Sequence, residues 1–281
     1  MLRSLNPWVA GLLKLLLWGL AAYGGLCLAA FLGQRRLMYF PERTTEGEAL
    51  QRAARLGLAP WRDGQGWILG WRRPLVAPAH RPRVLLMHGN AGEAQGRVAY
   101  LPLLEAAGFD AVLLEYPGYG CRPGDPSEAV LVADARAALT RLRTEGAPIF
   151  LLGESLGSGV AVQVAAADPT ALAGVLLVTP FARMTEVAAW HYPLFPMGLL
   201  LRDRWDSLGA IRNYLGPVVI LIAGRDEVVG APQGHRLAEA CPGPLQVWVV
   251  PQAGHNELPL RPGSPWSEAL AFLRGRSGVG Q

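Results

Sequence analysis

Hydrophobic and polar positions divide the chain into one long apolar segment near its start and a remainder of short apolar runs separated by helical patterns. Between Trp8 and Gly33 the only charged residue is Lys14, and residues 15–33 carry no charge. As a helix this uncharged stretch would be about 28 Å long, close to the hydrocarbon thickness of a bilayer. The Lys14 ammonium can extend to the interface, and aromatic residues lie near both ends of the segment. The pattern predicts a transmembrane helix within a membrane anchor over residues 1–36.

A cleaved signal peptide is the main alternative to a retained anchor. The apolar region of a signal peptide usually has about 7–15 residues, which is shorter than this segment, although residues 27–29 offer a cleavage site. A buried core helix fits less well, because the segment has no polar face. The rest of the chain could lie on the cytoplasmic or on the exported side of the membrane. The numbers of basic residues before and after the segment are nearly equal, so the positive-inside rule distinguishes these two orientations poorly. We favour the exported side.

The rest of the chain, residues 37–281, is typical of an α/β domain. Short apolar runs alternate with helical patterns, which predicts a mostly parallel central sheet with helices on both faces. The predicted strands are residues 67–71, 84–88, 111–116, 149–153, 175–179, 218–223 and 246–250. The predicted helices are residues 46–56, 93–107, 127–143, 155–167, 232–240 and 265–273. One connection, residues 181–216, is long, aromatic and interrupted by proline, and such an insertion is usually a lid or binding element. We expect it to form a small cap.

Composition and charge exclude several classes of protein. Hydrophobic residues make up 51% of the chain and charged residues 17%. This composition excludes intrinsic disorder for most of the chain. Three cysteines are too few for a disulfide scaffold, although Cys121 and Cys241 could pair in an exported domain or stay free in a core. The formal charge is +4, and residues 1–36 hold four basic residues and no acid. The remainder is therefore formally neutral, which gives no support for nucleic-acid binding.

The segment 153–157, with the sequence G-E-S-L-G, is the first candidate for chemistry. It follows a predicted strand and begins a predicted helix. Flanking glycines allow the sharp turn that exposes the hydroxyl of Ser155, and the helix N-terminus favours negative charge developing there. A glycine-rich turn with an ordinary N-cap serine is the structural alternative.

A serine nucleophile needs a base and an acid that orients the base. In this strand-turn-helix architecture they follow in the order serine, acid, histidine, each after a strand end. Asp226 follows the predicted strand 218–223, and His255 follows the predicted strand 246–250. Ser155, Asp226 and His255 are therefore the candidate catalytic residues. Other acids and histidines fit the order serine, acid, histidine, or a position after a strand end, less well. They are Asp168, Asp203, Asp206, His191 and His235.

An acyl-transfer site also needs N–H donors for the oxyanion of the tetrahedral intermediate. The backbone amide of Leu156, directly after the candidate nucleophile, would be one donor. The second would come from the small residues of the loop 88–92, with Asn90 favoured over Ala91. His88 precedes the serine in the chain, so we expect it to pack and form hydrogen bonds rather than act as the base.

Together with the segment 116–120, Y-P-G-Y-G, these motifs resemble the α/β-hydrolase superfamily over residues 35–273, and more narrowly its membrane-anchored α/β-hydrolase-domain members. The resemblance implies an α/β-hydrolase fold and a Ser-His-Asp hydrolase that cleaves esters, thioesters or, less often, amides through an acyl-enzyme. Depalmitoylating thioesterases occur among the relatives. The segment 228–232 departs from the pattern, because relatives often run there directly from valine to proline. No metal or other cofactor is needed for this chemistry.

Two further functions remain open from the sequence. The same three residues would serve an acyltransferase that uses an alcohol or thiol in place of water, and the fold alone would serve a membrane-tethered scaffold without activity. The expected partners are the lipid bilayer and an acyl ester or thioester. The apolar segment 190–201 of the predicted cap suggests an acyl pocket near the membrane surface, although packing of the cap onto the core explains it equally well.

Overall fold

The computed structural model describes residues 7–74, 81–261, 263 and 265–276. The strands are β1 (Phe40–Pro41), β2 (Ala59–Arg62), β3 (Ile68–Arg72), β4 (Arg83–Met87), β5 (Ala91–Gly92), β6 (Asp110–Leu114), β7 (Ile149–Glu154), β8 (Gly174–Val178), β9 (Val218–Ala223) and β10 (Leu245–Val250). The helices are α1 (Pro7–Met38), α2 (Glu46–Arg55), α3 (Leu101–Ala106), α4 (Glu128–Arg143), α5 (Leu156–Ala167), α6 (Met184–His191), α7 (Met197–Leu200), α8 (Ser207–Ile211), α9 (Ala231–Glu239) and α10 (Trp266–Arg276). Short 3-10 helices occupy Ala94–Tyr100 and Pro169–Ala171.

In the part of the chain that the structure describes, eight strands form one sheet in the order β10-β9-β8-β7-β4-β6-β3-β2. Neighbours from β10 to β6 are all parallel. Parallel strands covered on both faces consist of continuous apolar runs, and β4, β8 and β9 are buried at every position. The predicted α/β class with a mostly parallel central sheet is therefore confirmed.

The first hairpin departs from the parallel pattern predicted for residues 67–71. Strand β3 pairs antiparallel with both β2 and β6. Between β2 and β3 the Asp63 carboxylate accepts hydrogen bonds from the amides of Gln65 and Trp67, at 2.8 and 2.9 Å. A tight turn of this kind is too short for the crossover that a parallel pair requires. The sequence pattern does not predict β2, which has four residues and contains Pro60.

Helices cover both faces of the sheet and enclose a hydrophobic cluster on each. Leu131 of α4 and Val160 of α5 lie in one cluster, and Leu270 of α10 lies in the other. Cys241 packs against the first cluster and Cys121 against the second. The sheet therefore separates Cys121 from Cys241, and the two do not form a disulfide. Cys27 is also free.

Helix α1 continues to Met38, two positions beyond the predicted end of the anchor at residue 36. It is long and apolar enough to cross a membrane. Its second half lies against the insertion between β8 and β9, where the Tyr23 hydroxyl donates to the Leu194 carbonyl at 2.7 Å. The insertion contains α6, α7 and α8 and lies beyond the carboxyl end of β8, beside the region where Ser155 follows β7.

Candidate active site

Ser155 occupies a strained turn between β7 and α5. Its φ and ψ are 51° and −116°, in a region that side-chain-bearing residues rarely adopt. The Ser155 amide donates to the Val178 carbonyl at 2.9 Å, and the Ser155 carbonyl accepts from the amide and hydroxyl of Ser158 at 2.9 and 2.6 Å. These hydrogen bonds from β8 and α5 hold the turn with Ser155 at its apex.

The two glycines of the motif are required by close packing. A Cβ at Gly157 would lie 2.1 Å from the carbonyl oxygen of Met87, at the end of β4. A Cβ at Gly153 would lie 2.4 Å from the carbonyl oxygen of Gly157. Real Cβ atoms do not approach oxygen so closely, so the helix α5 can begin directly above the sheet only because both positions are glycine.

The structure brings the three candidate catalytic residues together. The Nε2 atom of His255 lies 2.8 Å from Oγ of Ser155, and its Nδ1 atom lies 2.7 Å from Oδ2 of Asp226. His255 and Asp226 are 7% and 8% exposed, so the contact between them is largely screened from water. With the proton on Nδ1 donated to Asp226, the lone pair of Nε2 faces the Ser155 hydroxyl, the arrangement that a general base needs.

The segment after β9 forms a cradle of amides around the Asp226 carboxylate. Its Oδ1 atom accepts from the amides of Val228, Val229 and Gly230 at 2.9, 2.8 and 3.3 Å. Burial raises the pKa of Asp226, but the hydrogen bond and charge of His255 together with these amides outweigh burial, and the net pKa lies below its ordinary value. The departure from the family pattern noted at residues 228–232 therefore supplies amides to Asp226, and the carboxylate is held ionised.

The loops that carry the acid and the base are joined to each other. The Arg225 amide donates to the Ala253 carbonyl at 2.9 Å, and the His255 amide donates to the Glu227 carboxylate at 3.4 Å. The sequence alone does not point to Glu227, although it directly follows Asp226.

The candidate oxyanion donors also lie beside Ser155. Leu156 is the first residue of α5, so its N–H has no acceptor within the helix. Asn90 lines the same cavity as Ser155 and Leu156. Its carbonyl accepts from the Tyr119 hydroxyl at 2.7 Å and from the Phe40 amide at 2.9 Å, which fixes the orientation of the loop. The alternative, Ala91, is exposed and pairs with Phe40 in the small β1–β5 ladder.

A cavity of about 350 Å³ opens above Ser155. Most of its lining is apolar and comes from α1 and from the insertion. The α1 residues are Ala30, Gln34, Leu37 and Met38, and insertion residues include Val187, Ala188, Leu200 and Leu201. The sequence predicts a contribution from the insertion, but it does not predict that α1 forms a wall.

Comparisons with known proteins point to one family. The model of the serine aminopeptidase S33 family matches residues 78–205. The chain is 36% identical over 264 residues to the uncharacterized protein Rv2307c of Mycobacterium tuberculosis, covering 92% of this chain and 93% of that protein. It is 32% identical over 207 residues to alpha/beta hydrolase domain-containing protein 17C of Xenopus tropicalis, covering 71% of this chain and 64% of that protein.

The chain belongs to the α/β-hydrolase superfamily. A solved esterase of Pyrococcus furiosus superposes on this hydrolase with a TM-score of 0.63 at 16% identity, over 85% of this chain and 98% of the esterase. The likeness confirms the α/β-hydrolase fold implied by the sequence motifs.

A second cavity of the hydrolase, of about 260 Å³, is lined by His255. It is lined by the ion pair of Arg97 and Glu154, whose closest nitrogen and oxygen are 2.8 Å apart, and by Tyr100 and Asn256. The cavity over Ser155 is mostly apolar, whereas this one has a mixed lining that includes an ion pair, so the hydrolase offers two chemically different spaces near the candidate catalytic residues. Glu154 occupies the variable position before the motif serine, where the sequence pattern predicts no role for it.

The other acids and histidines that the sequence offered as catalytic candidates lie elsewhere in the fold. Asp168 pairs with Arg136, Asp206 caps α8 through the Gly209 amide, and Asp203 binds Arg35 and Tyr39. His235 lies within α9, and Nε2 of His191 lies 2.7 Å from the Val228 carbonyl. His88 is buried and its ring packs on Tyr116 and Tyr119, in line with the packing role expected from its sequence position.

Proposed function

We propose that this α/β-hydrolase is a serine hydrolase that cleaves carboxylic ester or thioester bonds through an acyl-enzyme. The observation that carries the proposal is the hydrogen-bonded chain from Ser155 through His255 to Asp226, at 2.8 and 2.7 Å. The chain ends at the floor of an apolar cavity, where an acyl group can reach the serine hydroxyl. A binding scaffold would have no need of a strained serine, a buried base and an ionised acid in this order.

In the proposed reaction, Oγ of Ser155 attacks the carbonyl carbon of the substrate while Nε2 of His255 takes the hydroxyl proton. Asp226 stabilises the resulting imidazolium and keeps Nδ1 protonated. The bond to the leaving group then breaks, and His255 passes its proton to the departing alcohol or thiol. Water next gives a proton to His255, attacks the acyl-enzyme and releases the carboxylic acid, and His255 returns the proton to Ser155.

The amides of Leu156 and Asn90 are proposed to donate to the oxyanion of each tetrahedral intermediate. The N-terminus of α5 adds favourable electrostatics at the same point, because the N-terminal end of a helix carries partial positive charge. Removal of one such donor typically lowers kcat about 100- to 1,000-fold in serine hydrolases. No step in this scheme calls for a metal or another cofactor.

The two cavities support an apolar acyl group and a more polar leaving group. The space above Ser155 is lined mainly by aliphatic and methionine side chains, as acyl-binding sites are. The space lined by His255 is also lined by Arg97 and Glu154, which suit a hydroxylated or charged leaving group. A lipid-like ester has this division of polarity.

We further propose that α1 anchors the enzyme in a membrane and that residues 37–281 form the hydrolase domain, with a cap at residues 181–216. The length and apolar composition of α1 support the anchor, and the exported side remains our preference for the domain.

The proposal is tested by the rates at which full-length enzyme cleaves p-nitrophenyl esters and acyl thioesters of increasing chain length. We expect activity that Ser155→Ala abolishes, whereas Ser267→Ala, at an exposed position of α10, leaves it unchanged. Cleavage by Ser155→Ala at the wild-type rate, or no cleavage of any ester by folded wild type, would contradict the proposed function. Release of acid in water, without an added alcohol or thiol acceptor, separates hydrolysis from acyl transfer.

A further inference from the structure

The second half of α1 lies against the insertion over much of its length. The Tyr23 hydroxyl donates to the Leu194 carbonyl at 2.7 Å. Further along the helix, the Gln34 side chain donates to the Leu200 carbonyl at 3.1 Å and accepts from the Arg202 amide at 2.7 Å. These contacts extend along roughly 17 Å of the helix axis, so α1 and the insertion form one continuous surface.

The part of α1 that precedes these contacts is too short to cross a bilayer. Residues 7–22 form a helix of about 24 Å, whereas the hydrocarbon core is about 30 Å thick. The uncharged stretch 15–33 includes Tyr23 and Phe31, and both contact the insertion. A membrane-spanning α1 therefore meets the insertion at a depth inside the bilayer.

Charged residues of α1 and of the insertion meet at one level. The first charge after the uncharged stretch of α1 is Arg35, whose Nε atom donates to Asp203 at 3.2 Å. In the insertion, residues 187–201 contain no Asp, Glu, Lys or Arg, and charge resumes at Arg202. The uncharged residues 15–33 of α1 and 187–201 of the insertion thus lie next to each other. The charged residues Arg35, Arg202 and Asp203 form a band at one end of both stretches. A band of this kind is what a bilayer surface imposes on the elements that enter it.

The uncharged part of the insertion exposes large apolar side chains. Leu194 and Leu199 are 81% and 83% exposed, and Trp190 and Tyr192 are more than half exposed. Apolar side chains exposed together mark a contact surface, and tryptophan and tyrosine favour the membrane interface. The continuity of this surface with α1 identifies the contact as the leaflet that surrounds α1.

The cavity above Ser155 lies between these same two elements. Ala30, Gln34 and Leu37 follow one another at helical spacing on one face of α1 and form one wall of the cavity. Leu200 and Leu201 belong to the insertion side of the same cavity. An acyl chain could pass from the leaflet to Ser155 along α1 without leaving apolar surroundings.

We propose that residues 187–201 sit in the leaflet beside α1, and that the enzyme takes the acyl chain of a membrane lipid ester directly from that leaflet along the wall formed by α1. The inference rests on the proposed function and on α1 as its membrane span. It makes α1 a part of the substrate-binding site in addition to an anchor, and it places residues 187–201 of the cap inside the membrane boundary.

The test uses full-length enzyme reconstituted in phosphatidylcholine vesicles, with two substrates measured on the same preparation. One is p-nitrophenyl butyrate added to the water, and the other is p-nitrophenyl palmitate incorporated in the vesicles. Leu199→Glu places a charge on the exposed cap surface, at a position that does not line the cavity. The matched control is Leu215→Glu, which is 70% exposed and precedes β9 at the opposite end of the sheet.

We expect Leu199→Glu to lower the rate on vesicle palmitate about tenfold or more, because a buried charge is costly in hydrocarbon, and to keep the rate on butyrate within about twofold. Leu215→Glu should match wild type on both substrates. Equal palmitate rates for Leu199→Glu and wild type would overturn the inference while leaving the proposed function intact. Absence of cleavage of both substrates by folded wild type would instead contradict the proposed function.

A second pair of variants tests the wall formed by α1. Ala30→Trp fills the cavity from α1, whereas Leu28→Trp adds the same side chain at an exposed position that does not line the cavity. We expect Ala30→Trp to lower the ratio of palmitate to butyrate rates about tenfold relative to Leu28→Trp. Equal ratios for the two variants would overturn the assignment of α1 to the substrate-binding site.

Discussion

The side-chain amide of Asn90 donates a hydrogen bond of 2.9 Å to the main-chain carbonyl of Met38, the last residue of α1. Two residues further along, the Phe40 amide donates to the Asn90 carbonyl at 2.9 Å. The loop that holds a proposed oxyanion donor is therefore bound on both its side chain and its main chain to the segment that leaves α1. The position of α1 and the geometry around Ser155 are physically connected.

Replacement of Asn90 by alanine tests this connection. Asn90→Ala keeps the backbone N–H proposed as a donor but removes the hydrogen bond to Met38, so the loop loses one of its supports. We expect kcat for ester cleavage to fall about tenfold with KM nearly unchanged, because the loss affects the transition state more than substrate binding. Asn213→Ala, at an exposed position after α8, is the control. A KM rise with unchanged kcat would indicate that the loop only shapes the binding cavity.

Replacement of Asp226 by asparagine tests the acid. Asp226→Asn retains the shape of the side chain but removes the charge that keeps His255 protonated on Nδ1. We expect kcat to fall by about 10⁴, as in other serine hydrolases that lose this carboxylate. Asp168→Asn, which breaks a surface ion pair with Arg136, should retain wild-type kcat. An Asp226→Asn variant with more than a tenth of wild-type kcat would contradict the proposed role.

The lowered pKa of Asp226 also predicts how stability depends on pH. Because the pKa is lower in the fold than in the unfolded chain, the ionised carboxylate stabilises the fold above its ordinary pKa of 3.8. That stabilisation is lost as the pH falls through the lower pKa of the folded state. We expect the free energy of unfolding of wild type, measured with urea in detergent, to approach that of Asp226→Asn below about pH 4. A gap between the two that stays constant from pH 7 to pH 3 would contradict the direction of the shift.

Gly157 tests the packing of the serine turn. An alanine Cβ there would lie 2.1 Å from the Met87 carbonyl oxygen, so β4 and α5 must move apart. We expect Gly157→Ala to lower the free energy of unfolding by about 1–3 kcal/mol and to abolish ester cleavage. Gly47→Ala makes the same change in open space on α2 and should leave stability equal or raise it by up to about 1 kcal/mol. Wild-type Tm and activity for Gly157→Ala would show that the close approach is not needed.

Much of the fold follows from local sequence patterns. The buried parallel strands are continuous apolar runs, and the N-cap of α4 is Ser127, whose hydroxyl accepts from the Val130 amide. Ser155, Asp226 and His255 could be selected because the order of strands brings their loops to one edge of the sheet. Strand β2 could not be predicted from the sequence, because it has four residues, contains a proline and depends on its pairing with β3.

The contacts of α1 with the cavity could not be predicted from the sequence. The uncharged stretch indicates a membrane helix, and nothing local distinguishes the side that faces lipid from the side that faces the insertion. Gln34 looks like the beginning of the polar flank, yet it is buried and binds residues more than 160 positions away. The hydrogen bond of Asn90 to Met38 likewise joins segments that only the assembled fold brings together.

The central claim is that Ser155 is the nucleophile, and covalent labelling measures this most directly. Full-length enzyme is treated with a fluorophosphonate, which reacts with serines activated by a neighbouring base, and the modified peptide is located by mass spectrometry. We expect one phosphonate on Ser155 of wild type and none at that site when His255 is replaced by alanine. Intact folded enzyme that stays unmodified while it cleaves esters, or that carries the phosphonate on a different serine, would contradict the claim.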